Sequence, residues 1–316
     1  MENYRSRSKK TKGKRMKKYF RFIKERFPII GVFLYASSMY WASYSFPNLF
    51  SNILKIDYKD SILGIVFYVL IFLHLRLFDE HKDYEKDKLA YPERMLSRGE
   101  ITLNDLKILL FPVLILEGLI ALSIGMMQLF IWLIILLWTF LMLKEFYISD
   151  YLNKRIGMYL ITHQFLVPLM LLFPISQRIE KYTILSNYTT IIILFCITVM
   201  CFTITYEIAR KTWSDDRENI HADSYTRSWG KFKTVIVTIT LAFIGSTIIS
   251  IIMYDNNISI NYIITNYLLL LILVVIELIF LRKSTKQISK LVELTGAIFM
   301  LGSFINTSIA FTLFIK

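Results

Sequence analysis

Residues 61–78 read SILGIVFYVLIFLHLRLF, and residues 79–87, which follow without a break, read DEHKDYEKD. The first stretch approaches the roughly 20 apolar residues that a helix needs to cross about 30 Å of hydrocarbon. The second packs five acids and two lysines into nine residues. No glycine or proline separates them, so the sequence predicts one membrane helix whose polar end carries a cluster of carboxylates. Working outward, comparable apolar segments recur at approximately 28–46, 61–78, 107–124, 127–143, 156–175, 188–206, 234–254, 261–281 and 291–314. The expected fold is an all-α membrane protein, a bundle of about nine transmembrane helices.

Composition agrees with that solvent. Of 316 residues 55% are hydrophobic and 19% charged, and mean hydropathy is +0.50, too apolar for a soluble domain of this length. The net charge of +13 need not mean nucleic acid, because twelve of the 37 Lys and Arg precede Phe27 and most others flank apolar runs. Anionic lipid headgroups are the partner that this distribution fits. Residues 1–26 are expected to form a basic cytoplasmic tail, too charged to bury and either disordered or lipid-bound, ahead of a single membrane domain over 27–316. Cys196 and Cys201 share one apolar stretch without metal-ligand or disulfide spacing and read as small buried hydrophobes.

Cations are retained on the cytoplasmic side. An inside N-terminus makes the loops after the second, fourth, sixth and eighth helices cytoplasmic and leaves only Lys55, Lys59, Arg178, Lys181 and Lys316 outside. The protein is therefore expected to be a multi-pass inner-membrane protein with a cytoplasmic N-terminus. The carboxylate cluster falls on that side. If the second helix continues, Asp79, Asp83 and Asp87 stand at i, i+4 and i+8 on one face. Like charges so placed are unfavourable unless a cation joins them, and Mg²⁺ suits one or two carboxylates with positions left for phosphate oxygens. A solvated helix in which Lys82 and Lys86 offset the acids is the competing reading. Residues 91–102, YPERMLSRGEIT, add Arg94 and Arg98 four residues apart. Acids for a metal and arginines for phosphate are complementary halves of a diphosphate site.

These residues resemble the first motif of the UbiA superfamily of intramembrane prenyltransferases, Asn/Asp-Asp-x-x-Asp-x-x-x-Asp after the second helix, followed by an Arg-Pro-rich loop ending in Gly. Asp79, Glu80, Asp83 and Asp87 fit, with Asp for the usual Asn and Glu for the usual second Asp; Pro92, Arg94, Leu96 and Gly99 continue the fit, while Met95 stands where Pro is common. The nine-helix count is similar too. The resemblance implies Mg²⁺ on Asp79, Glu80, Asp83 and Asp87, and diphosphate contacts from Arg94 and Arg98. The family's second motif, Asp-x-x-Asp-x-x-x-Asp after the sixth helix, falls on Glu207, Arg210 and Ser214, so only one carboxylate is kept. Asp215 and Asp216, one and two places later, are further metal candidates, and Arg210 and Lys211 are placed to grip phosphate directly. This departure suggests a divergent branch. Lys154, after Tyr151, matches a phosphate contact of the family and reads equally as a positive-inside anchor.

Within the membrane, Glu117 and Glu277 are expected to face the bundle, since an ionised carboxylate in lipid costs several kcal/mol. His74 and His163 are candidates for the central cavity, or ordinary packed histidines. The function implied is Mg²⁺-dependent transfer of an isoprenyl group from a prenyl diphosphate to a lipophilic or aromatic acceptor, with Asp79, Asp83 and Asp87 as the catalytic carboxylates. The alternative is a non-catalytic transporter or scaffold that retains the fold.

Overall fold

A computed structural model describes residues 17–50, 56–182 and 188–314. Most of the basic tail, together with Lys55 and Lys316 of the expected outer side, lies outside these residues. Within them the chain is helical and contains no strand. A short helix α1 (17–26) precedes α2 (Ile29–Ser45), α3 (Tyr58–Lys82), α4 (Tyr84–Ala90), α5 (Leu103–Ile124), α6 (Met126–Leu143) and α7 (Ser149–Asn153). Then come α8 (Ile156–Gln164), α9 (Leu166–Tyr182), α10 (Thr189–Arg210), α11 (Tyr225–Trp229), α12 (Lys231–Asp255), α13 (Ile260–Arg282) and α14 (Lys286–Thr312).

Each expected apolar segment is found. Among the described residues eight helices are long and apolar enough to span, the α8–α9 pair counting as one over Ile156–Ile179. The remaining expected span is α2, whose 17 residues are continued by a 3₁₀ turn over Phe46–Leu49. Local chemistry sets several starts. The Asp57 side chain accepts the Asp60 N–H at the head of α3, Thr102 and Asp105 form a reciprocal capping box on α5, and Thr285 caps α14.

Helices α2, α3, α5, α6 and α9 pack consecutively as one half, and α10, α12, α13 and α14 as the other, joined where α14 meets α2 and α10 meets α9. Small residues permit the closest approaches. A Cβ on Gly296 of α14 would lie 2.6 Å from that of Ala209 on α10, and one on Gly64 of α3 would strike the Tyr40 ring at 2.2 Å. Glu117 and Glu277 are both fully buried, facing the bundle. Glu117 accepts a hydrogen bond from Trp132 Nε1 at 3.0 Å and stands 3.4 Å from His74 Nδ1, so His74 packs in a polar cluster between α3, α5 and α6.

One correction concerns the tail. Residues 17–26 are neither free nor merely solvated, because Phe22 is completely buried against Leu77, Met95, Leu96, Ile101 and Leu106. Ion pairs from Lys18 to Asp105 (2.6 Å) and Arg21 to Glu100 (2.7 Å) hold the cationic flank. Phe22, with Tyr19 and Ile23, turns one face of this basic segment to the protein, while Phe20 on another face stays exposed.

Candidate functional site

The first motif grows out of the end of α3. Asp83 closes α3 with φ −95° and ψ 10°, yet its N–H still donates to the Asp79 carbonyl, and the Asp87 N–H to that of Asp83, each at 2.8 Å. The break is therefore slight, and the three aspartates keep their i, i+4, i+8 succession into α4. Burial, with the charges of Asp79 and Asp87 adding to it against Lys82 and Lys86, pushes the Asp83 carboxyl up to about 6. Burial is the larger cause, and the neighbouring carboxylates add to it.

Glu80 does not join them. One residue on from Asp79 it is turned by about 100°, buried, and paired with Arg26 at 2.6 Å and Arg76 at 3.9 Å. Asp87 holds Arg94 and, at 3.5 Å, Arg26. The Arg94 guanidinium also lies 3.5 Å from the centre of the Tyr91 ring, and burial followed by the nearby Arg26 charge draws it below its ordinary value. Arg98 instead turns outward to Glu100 at 2.8 Å.

The second motif is arranged as a charge triad. Arg210 donates to Glu207 Oε2 through Nε (3.1 Å) and Nη2 (2.6 Å), while Lys211 approaches Oε1 at 3.2 Å. Two cations on one carboxylate leave a surplus positive charge. Asp215 and Asp216 stand apart from it. Asp215 pairs with Lys231 at 3.0 Å and is 88% exposed. Asp216 accepts from Ser214 Oγ at 2.5 Å and from the Lys286 N–H at 2.9 Å, and these bonds hold its carboxyl below the usual range. Both tie the loop to α12 and α14. Ser224, in the run leading to the seventh span, is the N-cap of α11 and accepts from the Arg227 N–H at 3.2 Å.

The two motif loops meet. Asn219 Nδ2 donates to the Ala90 carbonyl at 3.0 Å, and Lys86 lies 3.9 Å from Asp223. Between them stands Tyr159 of α8, within electrostatic reach of Asp83, Asp79 and Glu207. Its hydroxyl accepts from Lys82 Nζ at 2.6 Å, and its ring stacks on His163 at 3.9 Å. Beside Asp83 opens a pocket of about 390 Å³ lined by Lys82, Lys86, Lys144 and Glu145. Lys154 lines a different pocket, with Arg155, Gly157 and Trp229. Lys82, which the sequence offers as an offset to the acids, lies inside the motif, but nothing in the neighbourhood of Arg26 or Tyr159 along the chain announces their proximity to it.

Among the described residues no three of His, Cys, Asp and Glu already form a metal cage. Mg²⁺ does not require one, since it keeps several waters and shares its remaining positions between one or two carboxylates and substrate phosphates. The crowded, half-buried Asp79 and Asp83 fit that donor set.

No protein-family profile matches the chain, and no curated protein matches it by sequence. Solved structures do. A structure described as giving insights into digeranylgeranylglyceryl phosphate synthase in membranes has a TM-score of 0.64 at 17% identity, with 95% of this chain and 99% of that one covered. An apo UbiA homolog from Aeropyrum pernix K1 also gives 0.64, at 10% identity, over 85% and 96%. The chain is thus an integral multi-pass membrane protein. Its fold is the one these two solved structures share.

Proposed function

We propose that the protein is an intramembrane prenyltransferase that moves an isoprenyl group from a prenyl diphosphate to a lipophilic or aromatic acceptor. The observation that carries this reading is the juxtaposition of the Asp79, Asp83 and Asp87 series with the Arg210–Lys211 pair across Tyr159. Anionic donors face surplus cations at the polar end of an apolar bundle, which is the complement of a metal-bound diphosphate on a hydrocarbon tail. Both solved structures of the same fold are described by names that fit this class.

Asp79 and Asp83, with Asp87, would hold Mg²⁺, which when bound supplies Lewis-acid withdrawal of charge from the diphosphate leaving group. Arg94, Arg210 and Lys211 neutralise phosphate oxygens and orient the group, since fixed cations in a partly desolvated site need little reorganisation as charge develops. Lys82 and Tyr159 fix the floor between the motifs, and the apolar helices below exclude water from the electron-poor carbon as the C–O bond breaks. Glu80, Asp215 and Asp216 have structural partners and are left out of the metal set proposed here, as are Arg98 and Lys154 from the phosphate set.

Purified protein incubated with a panel of labelled prenyl diphosphates, with and without Mg²⁺, tests the reading. Mg²⁺-dependent release of diphosphate from at least one of them is the expected result. Failure across the panel, with the protein folded, favours the non-catalytic transporter or scaffold.

A further inference from the structure

Two arginines were expected in the loop after the first motif, and the structure brings one of them to it. Arg98 leaves for Glu100, and the second guanidinium at the motif is Arg26, from the last residue of α1. Its side chain is 14% exposed, with Nε donating to Glu80 at 2.6 Å and Nη2 reaching Asp87 Oδ2 at 3.5 Å. Arg94 takes the same Asp87 oxygen. With Arg76 also against Glu80, three guanidiniums share two carboxylates, a surplus cation in a partly desolvated cleft. The helix that delivers Arg26 is fixed across the 91–101 loop by buried Phe22, by Lys18 on Asp105 and by Glu25, whose Oε1 accepts the Met95 N–H at 2.9 Å.

We propose that Arg26 and Arg94 form a two-guanidinium clip for the diphosphate, with the Asp87 carboxylate holding the clip in position until phosphate oxygens take it over. The inference rests on the prenyl diphosphate reading and adds to it a segment ahead of the first transmembrane helix. If Asp87 turns toward a metal, as the proposed function requires, its two guanidiniums lose an anion, and the diphosphate is the anion that arrives with the metal. Glu207 repeats the arrangement, holding Arg210 and Lys211. Guanidinium suits this exchange because its planar fork can donate to carboxylate and to phosphate in the same bidentate geometry.

The test measures affinity for inorganic diphosphate with Mg²⁺, and the melting temperature with and without it, in the full-length protein and in R26A, R26K, R21A and D83N. R26A should bind at least about tenfold more weakly, in line with the loss of a charge-assisted contact. R26K, which keeps the charge opposite Glu80 and loses the fork, should melt near the native temperature and still bind several-fold more weakly. R21A, whose arginine meets only Glu100 on the outer flank of α1, should bind as the native protein does. Native affinity in a folded R26K or R26A overturns the clip, and if D83N is then impaired the diphosphate site itself stands. Absence of Mg²⁺-dependent binding in the native protein overturns both.

Discussion

Asp83 is the residue on which structure and chemistry pull in opposite directions. Its carboxyl titrates near 6 instead of the ordinary 3.8, because burial and the flanking Asp79 and Asp87 disfavour its charge. A group whose folded-state value is raised adds most to stability when protonated, and that contribution falls as pH rises from about 4 through about 6. Above that range the charged carboxylate is a standing cost to the metal-free protein. D83N removes the charge at nearly the same size, so in the absence of Mg²⁺ it should melt higher than the native protein at pH 7.5, with the difference vanishing toward pH 4. A lower melting temperature at pH 7.5 would show that Asp83 is stabilising where it stands. The aspartate succession was legible in the sequence because helical spacing alone sets it. The removal of Glu80 from that face follows from the same geometry, but its partner Arg26 is supplied by a distant segment and could not be read from spacing.

The helices themselves were legible from their apolar lengths, and their ends from caps such as Thr102 with Asp105. What spacing does not contain is which helix meets which. Gly296 reads in sequence as a small residue in a long apolar run, and only the packed bundle shows α14 pressed there against Ala209 of α10, one residue before Arg210. G296V should force the two helices apart at a cost of about 1–3 kcal/mol, as overpacking usually does. Because α10 carries Glu207, Arg210 and Lys211, the same substitution should weaken diphosphate binding, whereas a lipid-facing change such as I298V on the same helix should alter neither. Melting curves and binding isotherms for the pair check this. Native stability in G296V would mean that the contact is looser than the structure shows. The packing of α1 escapes spacing for a related reason. Its charges mark it as solvated, and the single face formed by Phe22 and its neighbours becomes visible only against the loop it covers.

At the scale of the molecule, α1, the loops after α3 and α10, and the start of α14 converge on one end through Arg26, Asn219, Arg217 and Lys286. The opposite end is closed by Arg178 on Asn48 and by Asn48 on the Phe311 carbonyl. Alternation of the spans and the bias of cations to the inside support the proposal that the first of these ends faces the cytoplasm. Single cysteines introduced at Ser8 and Lys316 should therefore label from opposite sides of the membrane, and labelling from one side would contradict both the helix count and the siting of the motifs. The most direct measurement compares the native protein with D83N for Mg²⁺-dependent binding of a labelled prenyl diphosphate and release of its diphosphate, alongside melting curves that establish folding. The account predicts a folded D83N whose turnover falls by at least about a hundredfold and whose Mg²⁺-dependent binding weakens, as loss of a carboxylate that holds the metal requires. A folded D83N that binds and turns over the prenyl diphosphate as the native protein does would contradict it.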